Sequence, residues 1–345
     1  MAVWRKYQQK IKFRRHVRRL MVVIFIAGAP LLLLLIIKIV QWFSTPLFLK
    51  EGMQAPSLIR GQQVNFVVAG MDPETKLIRW VSVGAWDEGE KILSFLILPR
   101  DEQLTVYGTE YPISQLSKVG SALNPPRPVA AVIDSVEDYL AVPLDTFYFI
   151  NDSSVGEEEL SEKILSLHQT IQSPSFWLSW PFYLKSISEK GTTSLSRIQL
   201  LRVLVGCRRV SAAKLKVEQI KNYAGYENVE IRDRLVRTLL GDEQVKKENV
   251  GVSVKNGTSI SGLAMLGTRF VQNAGMRVVS TGNYKSFGVE ATEIKVLGAA
   301  GDKIPYSLRR LSQIFGKDPQ FLGTSEVQRM DVEIIIGKDW GKRAR

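Results

Sequence analysis

The chain has 345 residues, a formal net charge of +12 and one cysteine. At about 100–200 residues per domain, that length implies two folded units plus an anchor. Arg5, Lys6, Lys10, Lys12, Arg14, Arg15, Arg18 and Arg19 carry eight of the positive charges with no acid among them, so the rest of the chain is nearly balanced. That balance argues against an extended nucleic-acid groove, and the lone Cys207 excludes an intramolecular disulfide.

From Leu20 to Ile37 no residue is charged, and apolar character continues past Lys38 to Phe43. Twenty-four residues at about 1.5 Å each reach about 36 Å, enough to cross about 30 Å of hydrocarbon. Lys38 snorkels to the far interface in this reading, Trp42 and Phe43 sit there, and Pro30 kinks the helix. The run is too long for the core of a cleaved signal, and a soluble core helix is rarely apolar on every face. Positive charge before the span places the N-terminus in the cytoplasm and the bulk of the chain outside.

A connector with Gly, Pro and Ser leads into strands expected at Val64–Ala69, Leu77–Val83 and Ile92–Leu98, with reversals at Asp72-Pro73-Glu74 and Trp86-Asp87-Glu88-Gly89. A helix from Val129 to Leu140 follows, with Val129, Ile133, Val136 and Leu140 on one face. Ala141 to Asp145 breaks it before a strand from Thr146 to Ile150.

These residues resemble the LytR-CpsA-Psr proteins, membrane-anchored bacterial proteins with a catalytic domain outside the membrane. The matching phrases are Phe66 to Asp72, Ile97-Leu98-Pro99-Arg100-Asp101, Tyr139 to Asp145 and Thr193 to Arg202. The resemblance implies phosphotransfer of a glycopolymer from a lipid pyrophosphate carrier to peptidoglycan. Arginines hold the pyrophosphate and carboxylates hold Mg²⁺. Arg100 and Asp101 match part of that site, with Asp101 the candidate metal ligand: a guanidinium forks onto phosphate oxygens and a carboxylate holds a hard cation. The remainder departs from the pattern. Ile78 to Val81, where the family's Arg-Ser-Asp-Thr stretch should fall, contains no carboxylate, and the Gly-Gly-Val loop and later arginine-rich helix are replaced by Glu157-Glu158-Glu159 and an aromatic stretch, Phe176 to Tyr183. Arg100 and Asp101 therefore read as vestigial, since one such pair cannot rebuild the charge clamp.

The aromatic stretch reads as core, with membrane-surface contact the alternative, because no Lys/Arg row flanks it. Glu157 to Glu159 reads as a solvated helix start. His168 has no partner at ligand spacing and reads as structural, and Cys207, in an apolar run, as a buried inert thiol.

Further on, Val250 to Val254 alternates as a strand, Lys255-Asn256-Gly257-Thr258 turns with Asn-Gly supplying positive φ, and Ser259 can cap a helix carrying Leu263, Leu266, Phe270 and Val271. Gly275 ends that helix. Strands at Arg277–Thr281 and around Thr292–Val296, a helix from Pro305 to Phe315 and a strand from Val332 to Ile336 complete a β-α-β-β-α-β order. Asn256-Gly257-Thr258, Gly262-Leu263-Ala264, Asn273 to Val279 and Ile336 to Trp340 resemble the LytR C-terminal domain.

The expected fold class is α+β / α/β: an N-terminal transmembrane helix, a reduced LytR-CpsA-Psr-like mixed-sheet domain and a small two-layer βαββαβ C-terminal domain. The expected division is 1–19 basic cytoplasmic segment, 20–43 transmembrane helix, 44–62 linker, 63–241 first unit and 247–341 second unit. The expected protein is a non-catalytic, extracytoplasmic scaffold or binder of cell-wall polymer, tethered to the lipid bilayer through 20–43. It touches wall polymer or other envelope proteins, not nucleic acid, and needs no cofactor. The alternative is the active phosphotransferase, which alone requires Mg²⁺. A transcriptional role has no support, because nineteen cytoplasmic residues cannot build a DNA-reading domain.

Overall fold

A computed structural model describes residues 37–38, 41, 61–106, 108–151, 155–220, 229–297, 303–322 and 330–341. The span expected at 20–43 lies outside them except for positions 37, 38 and 41, which are helical. No helix among the described residues is long and apolar enough to cross a membrane.

The first sheet is built from β1 (Gln63–Met71), β2 (Ile78–Asp87), β3 (Ile92–Leu98), β6 (Thr146–Asn151), β7 (Gly191–Thr193) and β8 (Leu215–Gln219), in the order β7-β6-β1-β2-β3-β8. A small hairpin of β4 (Gln103–Val106) and β5 (Thr109–Pro112) stands apart. β1, β2 and β3 form an antiparallel meander, while β6 and β8 join its two edges in parallel, so the sheet is mixed. The reversal expected at Trp86 comes later. β2 runs on to Asp87 because Trp86 is a buried core residue paired with Val64, and the turn takes Glu88 to Lys91.

Both faces of this sheet are apolar, which requires a helical layer on each side. Val67, Ala69, Val81, Val83, Leu96, Leu98, Phe147 and Phe149 share one core with α1 (Leu116–Ala122), α2 (Pro128–Leu140) and α6 (Val229–Leu239). Pro128 starts α2 with its fixed φ, and Ala141, left-handed at φ 50°, ends it. The opposite face meets α3 (Leu160–Gln172) and α5 (Arg197–Arg208), with α4 (Pro174–Lys190) between them in sequence. The phrase Thr193 to Arg202 serves this packing: Ser196 and Gln199 form a capping box at the start of α5, and Ser194 Oγ lies 2.7 Å from Thr146 Oγ1.

After α7 (Glu243–Glu248), the second sheet has β9 (Gly251–Asn256), β10 (Arg277–Asn283), β11 (Glu293–Leu297), β12 (Gln320–Leu322) and β13 (Val332–Ile336), in the order β10-β9-β13-β11-β12. Helices α8 (Leu263–Ala274) and α9 (Pro305–Phe315) complete the expected alternation, and α10 (Lys338–Gly341) follows. The sheet has five strands rather than four, because the short, exposed β12 pairs in parallel with β11. Two local expectations are corrected. Ser259 does not cap α8; Gly262, at φ 82°, occupies that position. Gly257 is not a positive-φ residue; it is needed because a Cβ there would lie 2.6 Å from Val289 and 3.0 Å from the Ile336 carbonyl oxygen. The turn is pinned instead by Asn256, whose Oδ1 accepts from Thr258 N and Oγ1 and whose Nδ2 donates to Ile260 O.

The closing motif is likewise structural. Asp339 Oδ1 accepts from the Thr292 N–H and hydroxyl, and Trp340 packs against Phe270 and Phe315 while donating to Ile314 O.

The two sheets are joined by a polar seam. Arg310 on α9 is 1% exposed and donates to Asp145, Asp242 and the Gln63 carbonyl oxygen. Burial opposes its charge, yet Asp145 and Asp242 raise its pKa. Arg269 on α8 forks onto Asp233 of α6 with two 2.8 Å bonds, and Asn273 Nδ2 donates to Leu140 O at the end of α2.

Candidate functional site

The helix-covered face bearing Phe66, Val68, Trp80, Ser82 and Phe95 is filled only at its ends. At one end Trp80 and Ile97 pack on Leu160 and Ile164 of α3. At the other, Val64, Trp86 and Leu93 pack on Cys207 and Val210. Helix α5 approaches closely there because Gly206 has no Cβ; one would collide with the Trp86 indole. Between these contacts Phe66, Val68, Phe95, Tyr148 and Ile150 are only half-buried, and the small Ser82 stands mid-sheet. The result is a cavity of about 310 Å³ walled by these side chains and by Leu160, Ile164, Leu167, Ile171 and Val203. It lies at the small end of ligand pockets and is about twice the 150 Å³ of an engineered apolar cavity that binds benzene.

Of the polar groups at its wall, the buried Trp80 Nε1 has no hydrogen-bond partner among the described residues, while His168 and Ser82 are committed elsewhere. His168 Nε2 lies 3.0 Å from Val210 O, which also accepts from Gln172 Nε2, in keeping with a structural histidine. Ser82 Oγ donates to Leu96 O. Burial pushes the Cys207 thiol up to about 12 and the Tyr148 phenol up to about 12, so neither ionises at neutral pH. Among the described residues Lys163 is the one charged side chain at the wall, and it is exposed. The chemistry on offer is the burial of an apolar chain.

Arg100 and Asp101 stand elsewhere. They follow the end of β3 with side chains 52% and 72% exposed and an Nε–Oδ1 distance of 3.7 Å, and neither lines the cavity. The Arg100 backbone N–H donates to Glu157 Oε2, and Gln219 Nε2 donates to Glu157 Oε1. Glu157 is therefore a half-buried brace, not a solvated residue; Glu158 and Glu159 are exposed as expected. Glu102, next to Asp101 in sequence, accepts from the Tyr139 hydroxyl at 2.8 Å, and Asp72, after β1, is also engaged. Its Oδ1 accepts from the Glu74 and Thr75 N–H groups and its Oδ2 pairs with Arg79 at 2.7 Å, which together hold its carboxyl well below the usual range. Among the described residues no group of three or more His, Cys, Asp or Glu side chains is placed to hold a metal ion. One exposed carboxylate beside its own arginine does not fit the Mg²⁺ shell that the transferase reading requires.

The aromatic stretch divides. Phe176 is buried and its ring lies 4.8 Å from that of Tyr183, and Trp177 Nε1 donates to Ile171 O. Leu178 and Phe182 are 86% and 76% exposed, because a helix lying on one side of a domain offers the core only part of its circumference. Core packing therefore accounts for only part of the stretch. The cavity itself was not foreseen. The available signal was that β1, β2 and β3 are apolar on both faces, which predicts two helical layers but not how closely either one sits.

Residues 249–340 match the family model described as LytR cell envelope-related transcriptional attenuator. No curated protein matches the chain. Among solved structures, the chain is similar to the transcriptional regulator yvhJ from Bacillus subtilis at 14% identity, covering 52% of this chain and 98% of that one, with a TM-score of 0.40. Bacillus subtilis TagV is similar at 14% identity, 51% and 97% coverage and a TM-score of 0.41. A structure of TagT bound to LI-WTA is similar at 12% identity, 56% and 99% coverage and a TM-score of 0.39.

Proposed function

We propose that the chain is a membrane-anchored, extracytoplasmic envelope protein that binds the apolar chain of a lipid-linked wall polymer without transferring the polymer. The carrying observation is the separation of features: the apolar cavity lies between the β1–β3 face and α3/α5, while Arg100 and Asp101 stand exposed outside it. Phosphotransfer needs several cations and at least two acids converging on the pyrophosphate, whereas holding a lipid tail needs only a dry apolar slot. The resemblance of the first unit to the LytR-CpsA-Psr proteins, and the envelope-related family match at 249–340, supply the polymer context.

The test is binding of geranylgeranyl phosphate to the full-length chain in nanodiscs. Saturable binding is expected, weakened at least about tenfold, or about 1.4 kcal/mol, by Val203→Trp, which fills the cavity from α5. Arg100→Ala is expected to leave binding within about twofold. A tenfold loss in Arg100→Ala would instead place the ligand's phosphate on that arginine and revive the transferase.

A further inference from the structure

A second pocket, of about 170 Å³, lies beside α5 and shares no lining residue with the apolar cavity. Its apolar part is the Trp86 indole against Gly206, and its charged lining is Lys91, Arg202, Arg209 and Glu88. Three cations less one acid leave two positive charges. Glu88 holds one of those cations in place: its Oε2 accepts from Arg202 Nη2 at 2.6 Å and from the Gly61 N–H at 3.1 Å. Arg208 and Arg209 divide the end of the helix between them, Arg208 lying over the Trp177 ring, 5.3 Å from its centroid, and Arg209 lining the pocket. Two carbonyls that end α5 are already paired, since Gly206 O accepts from Arg209 N and Cys207 O from Val210 N.

We propose that this pocket binds a phosphate dianion, either free inorganic phosphate or the phosphomonoester of a lipid. Two net positive charges balance two negative ones, and guanidinium and ammonium groups meet phosphoryl oxygens through charge-assisted hydrogen bonds. Size narrows the choice. The space equals about six waters at about 30 Å³ each and falls below the roughly 300 Å³ at which pockets for larger organic ligands begin, so it takes a phosphoryl group and not a nucleotide. The site is separate from the Arg100 and Asp101 pair: Lys91 precedes β3 and Arg100 follows it, and about nine steps of about 3.3 Å put them about 30 Å apart. It is also separate from the apolar cavity, because Trp86 of this pocket packs with Cys207 of that one. The proposal therefore stands whether or not the cavity takes a lipid tail.

The experiment titrates inorganic phosphate into the full-length chain in phosphatidylcholine nanodiscs at low salt, followed by calorimetry. Saturable one-to-one binding is expected, weakened at least about tenfold by Arg209→Gln and by Lys91→Asn. Asparagine is chosen at 91 because it tolerates the left-handed backbone there, φ 55°. Lys118→Gln, at an exposed lysine on α1, is expected to leave binding within about twofold. Unfolding midpoints without phosphate, expected to match the parent's, show that the losses are losses of binding. Absence of saturable binding overturns the proposal. A loss in Lys118→Gln equal to that in the other two variants also overturns it, because it marks diffuse attraction to a basic surface. Nanodiscs containing phosphatidic acid separate the two sources: phosphate binding weakened there identifies the lipid phosphomonoester as the preferred occupant, and equal binding identifies the free anion.

Discussion

The two faces of the six-stranded sheet are built from the same kinds of residue and end in opposite states. On one, Val67, Val81, Val83, Leu96 and Leu98 have no measurable exposure beneath α2 and α6, and those two helices supply Leu140 and Asp233 to the seam with the second sheet. On the other, the rings of Phe66 and Phe95 meet edge to face, 5.7 Å between centroids, and look into a space that α3 and α5 bridge without filling. The difference follows from where the covering helices touch. A layer clamped by further contacts behind it closes down, and a layer held only at its ends leaves room for something else.

The largest test of that contrast is at the seam. Arg310→Ala leaves Asp145 and Asp242 without their buried partner and is expected to cost about 3–5 kcal/mol, read by urea unfolding. A loss below about 1 kcal/mol would mean that the filled side does not owe its closure to the second sheet. Adjacent residues on β3 give the next comparison. Leu96→Ala on the filled face should cost about 3 kcal/mol, whereas Phe95→Ala, though it removes a larger side chain, should cost only about 1 kcal/mol because the ring already borders empty space. Equal losses would indicate that the hollow closes in solution. A third test separates stability from binding: Val203→Trp should change the unfolding midpoint little while abolishing most uptake of the prenyl phosphate.

The smallest effect concerns Asp87. Burial raises its carboxyl pKa and the like charge of Asp242 adds to this, while its Oδ2 has no hydrogen-bond partner among the described residues. A folded-state pKa above the unfolded one means that the ionised form costs stability at neutral pH. Asp87→Asn should therefore raise the melting temperature at pH 7, and the gain should vanish below about pH 4, where the unfolded chain is also protonated. A melting temperature at pH 7 unchanged or lowered by the substitution would count against this assignment.

Much of this arrangement could be read from the sequence because it is local. Apolar and β-branched runs at Val64 to Ala69 and Ile92 to Leu98, separated by turn residues, mark those strands, and Pro305 and Gly316 bracket α9 as their backbone preferences dictate. What escaped depends on distance along the chain. Arg310 meets Asp145 and Asp242 across separations of 165 and 68 residues, and nothing in Ser307-Leu308-Arg309-Arg310-Leu311 marks which arginine turns inward. A cavity has still less signature, since the residues around it are the ones that would fill a core if α5 sat slightly nearer.

The Gln63 carbonyl oxygen, at the very start of β1, is held 3.0 Å from Arg310 Nη2. A pull on the C-terminal sheet therefore reaches the first strand through one guanidinium, near the point where the chain emerges from its connector. In the anchored arrangement proposed above, load that enters at the start of β1 and leaves through α9 crosses that contact without passing through α3 or α5. The slot those two helices cover then keeps its shape under load.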